Sequence, residues 1–442
     1  MHFKPAILWT DILFFILIFA VIGFVIYVRH SPLQRQNWQQ VFKRPLATFS
    51  GVILLAYVLI ALLDSLHFHP PLPNLIAGKV FYSTQVESLF DVLIRPLGQY
   101  EETTYSAPFA VALPTQANNF TLPQALVIAA SEAVLSFAII AGLITWIAAR
   151  HQQRSIMTQW QLIWQGRSMV AWRSIFLAIA LVLFIAAMTL TLSKYWHIFG
   201  TGIVGQDIFY QTLKSIRTGL IIGTLTTLFM LPFAAIFGMM AGYYSGWIDD
   251  VIQYVYTTLS SIPGVLLITA AILSLQIFMQ NHAYLFPDLA SRADARLLIL
   301  CAILGVTSWT DLCRLLRGET LKLREIDFVQ AATVMGVPSY KILLRHILPN
   351  IAYIILITVV LNFSALVLAE AVLSYVGVGV DPSTISWGNM INSARMELAR
   401  EPVVWWPLLA AFIFMFALVL TANLFADAVR DAFDPRVSEE KS

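Results

Sequence analysis
Residues 324–350 read REIDFVQAATVMGVPSYKILLRHILPN, a polar and basic island set between long apolar stretches. The island is too polar to enter hydrocarbon and too helix-prone to be a loose loop. Phe328–Met335 holds no breaker, and Gly336-Val337-Pro338 then forces a turn. A second helix is expected over Ser339–Leu348, with Ser339 as a cap residue near its start and Pro349 at its end. Two short helices around a glycine elbow make a compact knob. Small Ala331 and Ala332 would let that knob seat closely in a groove of another protein. On either side lie Arg296–Leu316 and Ile351–Tyr375, each long enough to cross roughly 30 Å of hydrocarbon as a helix.

The same alternation runs along the whole chain. Of its 442 residues 59% are hydrophobic and 12% charged, with a mean hydropathy of +0.76, whereas soluble domains carry roughly twice that charge. Apolar runs of about 20 residues separated by charged loops define an all-α, polytopic transmembrane helical bundle of about nine spans. A barrel would need short alternating strands, which the sequence lacks. A net charge of +2 gives no reason to expect nucleic acid. Cys301 and Cys313, the only cysteines, are twelve residues apart on one helix, roughly 18 Å and beyond disulfide reach. Ile7–Val28 is a full-length span with its positive charges after it rather than before, unlike a signal peptide.

Charge distribution sets the expected orientation. The first span is followed by Arg29, Arg35, Lys43 and Arg44 with no acid among them, which makes that loop cytoplasmic and the N-terminus external. A second span, Ala47–Leu66, leads to a Lys/Arg-poor external segment at about 64–121, within which 81–94 is read as a short amphipathic helix. Spans over Leu122–Ala149 and Ser174–Leu192 flank a loop with Arg150, Arg154, Arg167 and Arg173, again without an acid and therefore cytoplasmic. Tyr195, Trp196, Phe199, Phe209 and Tyr210 read as an interfacial belt, as do Trp405 and Trp406. The fifth span, about Arg217–Tyr244, carries Gly219, Gly223, Gly238 and Gly242 for close approach to neighbours, with a kink expected at Pro232. The sixth, Val251–Phe278, should break at Pro263-Gly264, and the last, Trp405–Ala426, leaves the tail in the cytoplasm.

No GxxxxGK[ST], HExxH, CxxC or GxSxG occurs, so the sequence offers no P-loop, zinc site or hydrolase motif. His67 and His69, beside Pro70 and Pro71, read as plain polar loop residues. Three polar groups inside spans are candidates for a translocation pathway or for packing. Glu370 and Asn362 lie in the eighth span, where a helix-packing bond and contact with substrate both remain open. Asp311 lies in the seventh, close enough to Arg314 and Arg317 to pair along the helix.

The stretch QAATVMGVPSYKILLRHILP resembles the EAA loop of ABC-transporter permeases in spacing from Gln330 through Gly336 to Pro349, with Gln330 in place of the usual Glu and His346 in place of a hydrophobic residue. AGYYSGWIDD at 241–250, IPG at 262–264, LAEAVLSYVGVGV at 368–380, SWGNM at 386–390 and LFADAVRDAFDPR at 424–436 are similar to motifs of the dipeptide/oligopeptide/nickel branch, the peptide C subunit in particular. HIFGTGIVGQDIFYQ at 197–211 resembles that branch's external signature, with Gly202 and Gln206 where Asp and Arg are usual.

The resemblance implies a type I importer permease core over 191–436 with its coupling loop at 324–350. Residues 1–190 would be extra transmembrane helices, and 437–442 a cytoplasmic tail. It implies Gln330, Ala331, Ala332, Gly336, His346 and Pro349 as the ATPase-coupling set. The partners implied are a second homologous permease, two ATPase subunits carrying ATP and Mg, a periplasmic binding protein and membrane lipid, in a bacterial inner membrane. The chain itself would bind no cofactor or metal, perform no catalysis, and carry dipeptides or oligopeptides. Nickel or another small substrate is the alternative within that branch; an ATP-independent channel or a membrane-embedded enzyme is the alternative outside it.

Overall fold
The computed structural model describes residues 4–71, 82–83, 85–94, 103–111, 121–151, 153, 155–165, 170–282, 284 and 288–433. Among these the protein is a helical bundle with only short strands. Eight helices are long and apolar enough to cross a membrane, one fewer than the sequence suggests. The ninth, Leu289–Arg324, is 36 residues long, about 54 Å, but carries Asp294, Arg296, Asp311, Arg314 and Arg317 along its length. The chain divides into two compact units, one of residues 1–7, 17–219 and 385–442, the other of residues 8–16 and 220–384.

In the first unit, α1 (Trp9–His30) continues into α2 (Pro32–Lys43), whose Trp38 ring meets Phe433 edge-on at 5.6 Å. Helix α3 (Pro45–Asp64) packs on the last helix, and Tyr57 donates a hydrogen bond to the Phe414 carbonyl at 3.0 Å. Three short strands follow one another antiparallel. β1 (Lys4–Pro5) pairs with β2 (His67–His69) and β2 with β3 (Glu87–Ser88), which brings Lys4 and Pro5 beside the end of α3. Of the amphipathic helix expected over 81–94 only α4 (Leu89–Leu93) forms, while residues 81 and 84 lie outside the described residues. Ser88 and Asp91 start α4 with a reciprocal capping box.

Long α5 (Leu122–His151), short α6 (Ile156–Gln165) and α7 (Trp172–Leu192) form an antiparallel group. The Thr191 hydroxyl donates to Glu132 at 3.0 Å, so the acid in α5 is met by its neighbour. β4 (Ala110–Val111) pairs with β5 (Trp196–His197). The stretch 197–207 folds tightly on itself: His197 Nδ1 and Asp207 Oδ2 are 2.7 Å apart, and Asp207 caps α8 (Ile208–Tyr244) by accepting the Tyr210 N–H at 3.1 Å. The aromatic belt expected here turns inward instead. Phe209 is buried and stacks on Phe199 at 6.0 Å, and Trp196 is buried as well. Trp406, at the head of α16 (Trp406–Phe433), is likewise buried and donates to the Thr201 carbonyl at 3.1 Å, while Trp405 stays exposed. These rings have backbone and aromatic partners within the chain, and that outweighs an interfacial position. In α15 (Trp387–Glu397), Trp387 is buried against Gly219 and donates to the Thr212 carbonyl at 3.1 Å.

A buried polar network pins α4 to α8. Lys214 reaches Asp91 at 2.8 Å and Asp64 at 3.6 Å, and Tyr210 donates to Asp91 at 3.0 Å. Burial alone would raise the Asp91 pKa, but the Lys214 charge, with hydrogen bonds from Lys214, Ser88 and Tyr210, holds it below the usual carboxylate value. A lowered folded pKa contributes stability above the unfolded value, about 3.9, and that contribution is lost as pH falls through the folded value. Hydrogen exchange at residues 87–94 is therefore expected to stay slow at neutral pH and to accelerate only below the ordinary carboxylate range. In Lys214→Met the acceleration should begin at a higher pH; an unchanged profile would remove Lys214 from the network.

The second unit opens with the start of α1, whose Trp9 N–H is accepted by Asp294 at 2.8 Å; the Thr10 hydroxyl also bonds that carboxylate. An acid at a helix N-terminus satisfies orphan donors and complements the dipole. The rest of α8 continues through Pro232 to Tyr244. The expected sixth span is broken where foreseen, into α9 (Trp247–Ser261) and α10 (Gly264–Asn281), and α11 (Leu289–Arg324) follows. Helices α8 and α11 approach at backbone distance. A Cβ on Gly238 would lie 2.8 Å from Leu316 Cβ, one on Gly242 2.6 Å from Thr320 Cβ, and one on Gly305 2.9 Å from the Thr226 carbonyl.

Candidate coupling site
The polar island folds as two helices on a fixed base. α12 (Asp327–Val334) ends at Met335, and Gly336 follows with φ +73°. The Gly336 N–H bonds to the Thr333 carbonyl at 3.0 Å and the Val337 N–H to the Ala332 carbonyl at 3.1 Å, the two bonds of a Schellman motif. This is why glycine stands at the elbow: the motif needs a left-handed residue there. α13 (Ser339–Ile342) begins without a side-chain cap, because Ser339 is already inside the first turn, where Pro338 supplies the carbonyl for Lys341 and Ile342.

The second helix does not end at Pro349. It passes through one wide turn, Leu343–Ile347, in which the Leu348 N–H reaches back five residues to the Leu343 carbonyl, and continues as α14 (Leu348–Tyr375). Proline clashes with the carbonyl four residues before it and lacks an N–H; a widened turn just ahead of it relieves both problems. Asn350 Nδ2 bonds to the His346 carbonyl at 2.6 Å. A proline read as a terminator is thus absorbed by a π turn.

Beneath the knob, Val329, Ala332, Ile342, Leu343 and Ile347 are buried with Met239, Ile252, Tyr256, Cys313 and Leu316 in one apolar core. Three arginines of α11 secure the edge. Arg324 Nη1 donates to the Tyr243 carbonyl at 3.2 Å and to Ser245 Oγ at 2.6 Å, which fixes the turn between α8 and α9. Arg317 grips Asp249 with two bonds of 2.5 and 2.6 Å, and those bonds hold the Asp249 carboxyl below its usual range. Arg314 lies over the Tyr256 ring at 5.3 Å. The AGYYSGWIDD motif and the island are therefore one structure.

Of the coupling set, Gln330, Ala331, Gly336 and Pro349 are exposed, and Gln330 Nε2 bonds to the Glu325 carbonyl at 3.2 Å. His346 is half-buried with its ring 6.2 Å from Phe328. Ala332 is buried in the chain's own core and helps seat the knob on its base. Sequence reasoning passed over the most exposed side chains on the crest, Val334 at 88% and Met335 at 81%. Their signal was available: apolar residues beside the elbow, one helical turn beyond Gln330 and Ala331. Val334 and Met335 thus form an exposed apolar tip on the two-helix projection.

The other candidates separate. Glu370 is buried and accepts the Ser374 hydroxyl at 2.7 Å, one helical turn before the helix ends. Asn362 is half-buried, with Nδ2 3.7 Å from Met230 Sδ. Asp311 is exposed, and the arginines expected to pair with it turn to Tyr256 and Asp249. Among the described residues no group of three or more His, Cys, Asp or Glu could hold a metal ion.

The chain is thus a helical bundle with several membrane-length helices and an exposed two-helix projection. Residues 234–439 match the family described as binding-protein-dependent transport system inner membrane component. The chain is 34% identical over 243 residues to the oligopeptide transport system permease protein OppC of Mycobacterium tuberculosis, 55% of this chain and 76% of that one. It is 31% identical over 242 residues to the glutathione transport system permease protein GsiD of Pectobacterium atrosepticum, 54% of this chain and 73% of that one. It is also 31% identical over 244 residues to the dipeptide transport system permease protein DppC of Lactococcus lactis, 55% and 65%. The chain belongs to this family of ABC-transporter inner-membrane permeases, as a C-type subunit of its dipeptide/oligopeptide branch.

Proposed function
We propose that this chain carries dipeptides or oligopeptides across the inner membrane, receiving them from a periplasmic binding protein, with a second permease beside it and two ATPase subunits that supply ATP and Mg. The observation that carries this is the knob: Gln330, Ala331, Val334, Met335 and Gly336 form an exposed crest on a rigid, arginine-braced base. ATP-driven closure of the ATPase pair moves the knob, and the helices joined to it exchange outward and inward access. That is a population shift between two states. The names of the similar permeases, which refer to oligopeptides, dipeptides and glutathione, favour a peptide over nickel.

The orientation is inferred from the Lys/Arg distribution of the loops, and the path of α11 supports it. Asp294, near the start of α11, holds the start of α1, and thirty residues further on α11 delivers the chain to the knob. With the knob cytoplasmic, the start of α1 lies on the external side; the C-terminus is read as cytoplasmic from the charge pattern alone. Asp311, exposed midway along α11, is the best candidate for lining the pathway.

A photo-crosslinking amino acid at Met335 tests the docking. In the assembled transporter it is expected to capture a P-loop ATPase subunit, whereas the same probe at Gln85 captures none. A purified chain that moves peptides alone, without ATP, would overturn the reading.

A further inference from the structure
Ten-residue α6, between α5 and α7, has no part in the coupling described above. One edge of its apolar arc is fixed: Ile163 is buried to 1% exposure, and Trp160 lies 6.1 Å from Phe176 in a cluster with Phe137 and Trp172. The other edge is uncovered. At about 100° per residue, Trp164 and Met157 continue the arc that starts at Ile163, and they are 59% and 69% exposed, while Thr158, Gln161 and Gln165 take the opposite side.

Cations lie on the elements that adjoin α6. Arg150, close to the end of α5, and Arg173, in the first turn of α7, are exposed. Exposed Lys43 is held near them because the Ala171 N–H bonds to the Phe42 carbonyl at 3.1 Å. Arg44 is left out of the set, since Asp431 pairs with it at 2.5 Å. Between Glu132 and Asp207 the sequence contains no acid at all. A short helix with an exposed Trp and Met edge, flanked by cations that pair with no acid among the described residues, at the end of two membrane-length helices, matches the chemistry of an anionic bilayer surface.

We propose that α6 lies in the cytoplasmic interface of the membrane and, with Lys43, Arg150 and Arg173, binds anionic phospholipid headgroups. The placement on that side rests on the orientation proposed above; the lipid preference does not. Trp164 and Met157 enter the headgroup boundary, and the three cations meet the phosphates.

Native mass spectrometry of the transporter, purified with its partner subunits and titrated with phosphatidylglycerol or phosphatidylcholine, tests this. Phosphatidylglycerol should be retained preferentially, and R150Q/R173Q should raise its half-saturating concentration by about tenfold or more while leaving phosphatidylcholine unaffected. Equal retention of the two lipids, or an unchanged titration in the variant, would overturn the proposal. Brominated phosphatidylglycerol gives a second readout: it should quench tryptophan emission, and W164F should lose part of that quenching. Identical quenching in W164F would refute the placement of α6, for instance because a partner subunit covers that edge. Neither readout involves peptide uptake, so failure here leaves the permease reading standing.

Discussion

A chain carrying Gly336→Val is expected to reach the membrane and fold, yet to import almost nothing. Gly336 sits at φ +73° with open space around its missing Cβ, so the cost of a side chain there lies in the backbone and not in crowding. A β-branched residue held left-handed costs about 2 kcal/mol, which shifts the elbow's equilibrium about thirtyfold. The core beneath the knob does not include residue 336, so the damage is confined to the crest. Gly336→Asn is the informative control, because Asn tolerates that conformation. Near-normal uptake with Asn and failure with Val would assign the effect to backbone geometry. Normal uptake with Val would sink the docking role of the elbow.

Gly242→Leu should act differently, by lowering the yield of folded protein. Its Cβ would fall 2.6 Å from Thr320 Cβ and 2.7 Å from the Arg317 carbonyl, and backbone cannot step aside as a side-chain tip can. Overpacking of this kind costs about 1–3 kcal/mol, here at the helix crossing that carries Arg317 and Arg324 to the knob. Gly318→Leu, on the same α11 but with nothing within 4 Å, should be tolerated. Fluorescence-detected size-exclusion profiles of the two variants would decide; equal profiles would show that α8 and α11 can separate at little cost.

The long apolar helices were legible in the sequence because lipid imposes one demand, a run of some 20 apolar residues with its hydrogen bonds satisfied internally. The break at Pro263-Gly264 and the close-packing glycines of α8 were legible for equally local reasons. What the sequence hid depended on partners far along the chain. Trp196, Phe209 and Trp406 carry the composition of an interfacial belt, but their partners lie within the protein. Asp311, Arg314 and Arg317 have the spacing of an intrahelical pair, yet Tyr256 and Asp249 claim the two arginines. At the knob, Gly336 was readable from turn chemistry. The inward turn of Ala332 and the exposure of Val334 and Met335 required knowing which face the base would cover.

The wide turn at Leu343–Ile347 has a mechanical meaning. Since Pro349 fails to stop the helix, residues 339–375 form one rod of 37 residues, about 55 Å from end to end. The crest joins that rod through the short Gly336-Val337-Pro338 elbow, so in the coupling proposed above a push on the crest would reach one continuous helix. The single wide turn stands near the knob end of that rod, where the helix departs from regular α geometry. It can act as a fulcrum, turning a small displacement at one end into a larger swing at the other, and a drive of this kind is indifferent to the cargo it moves.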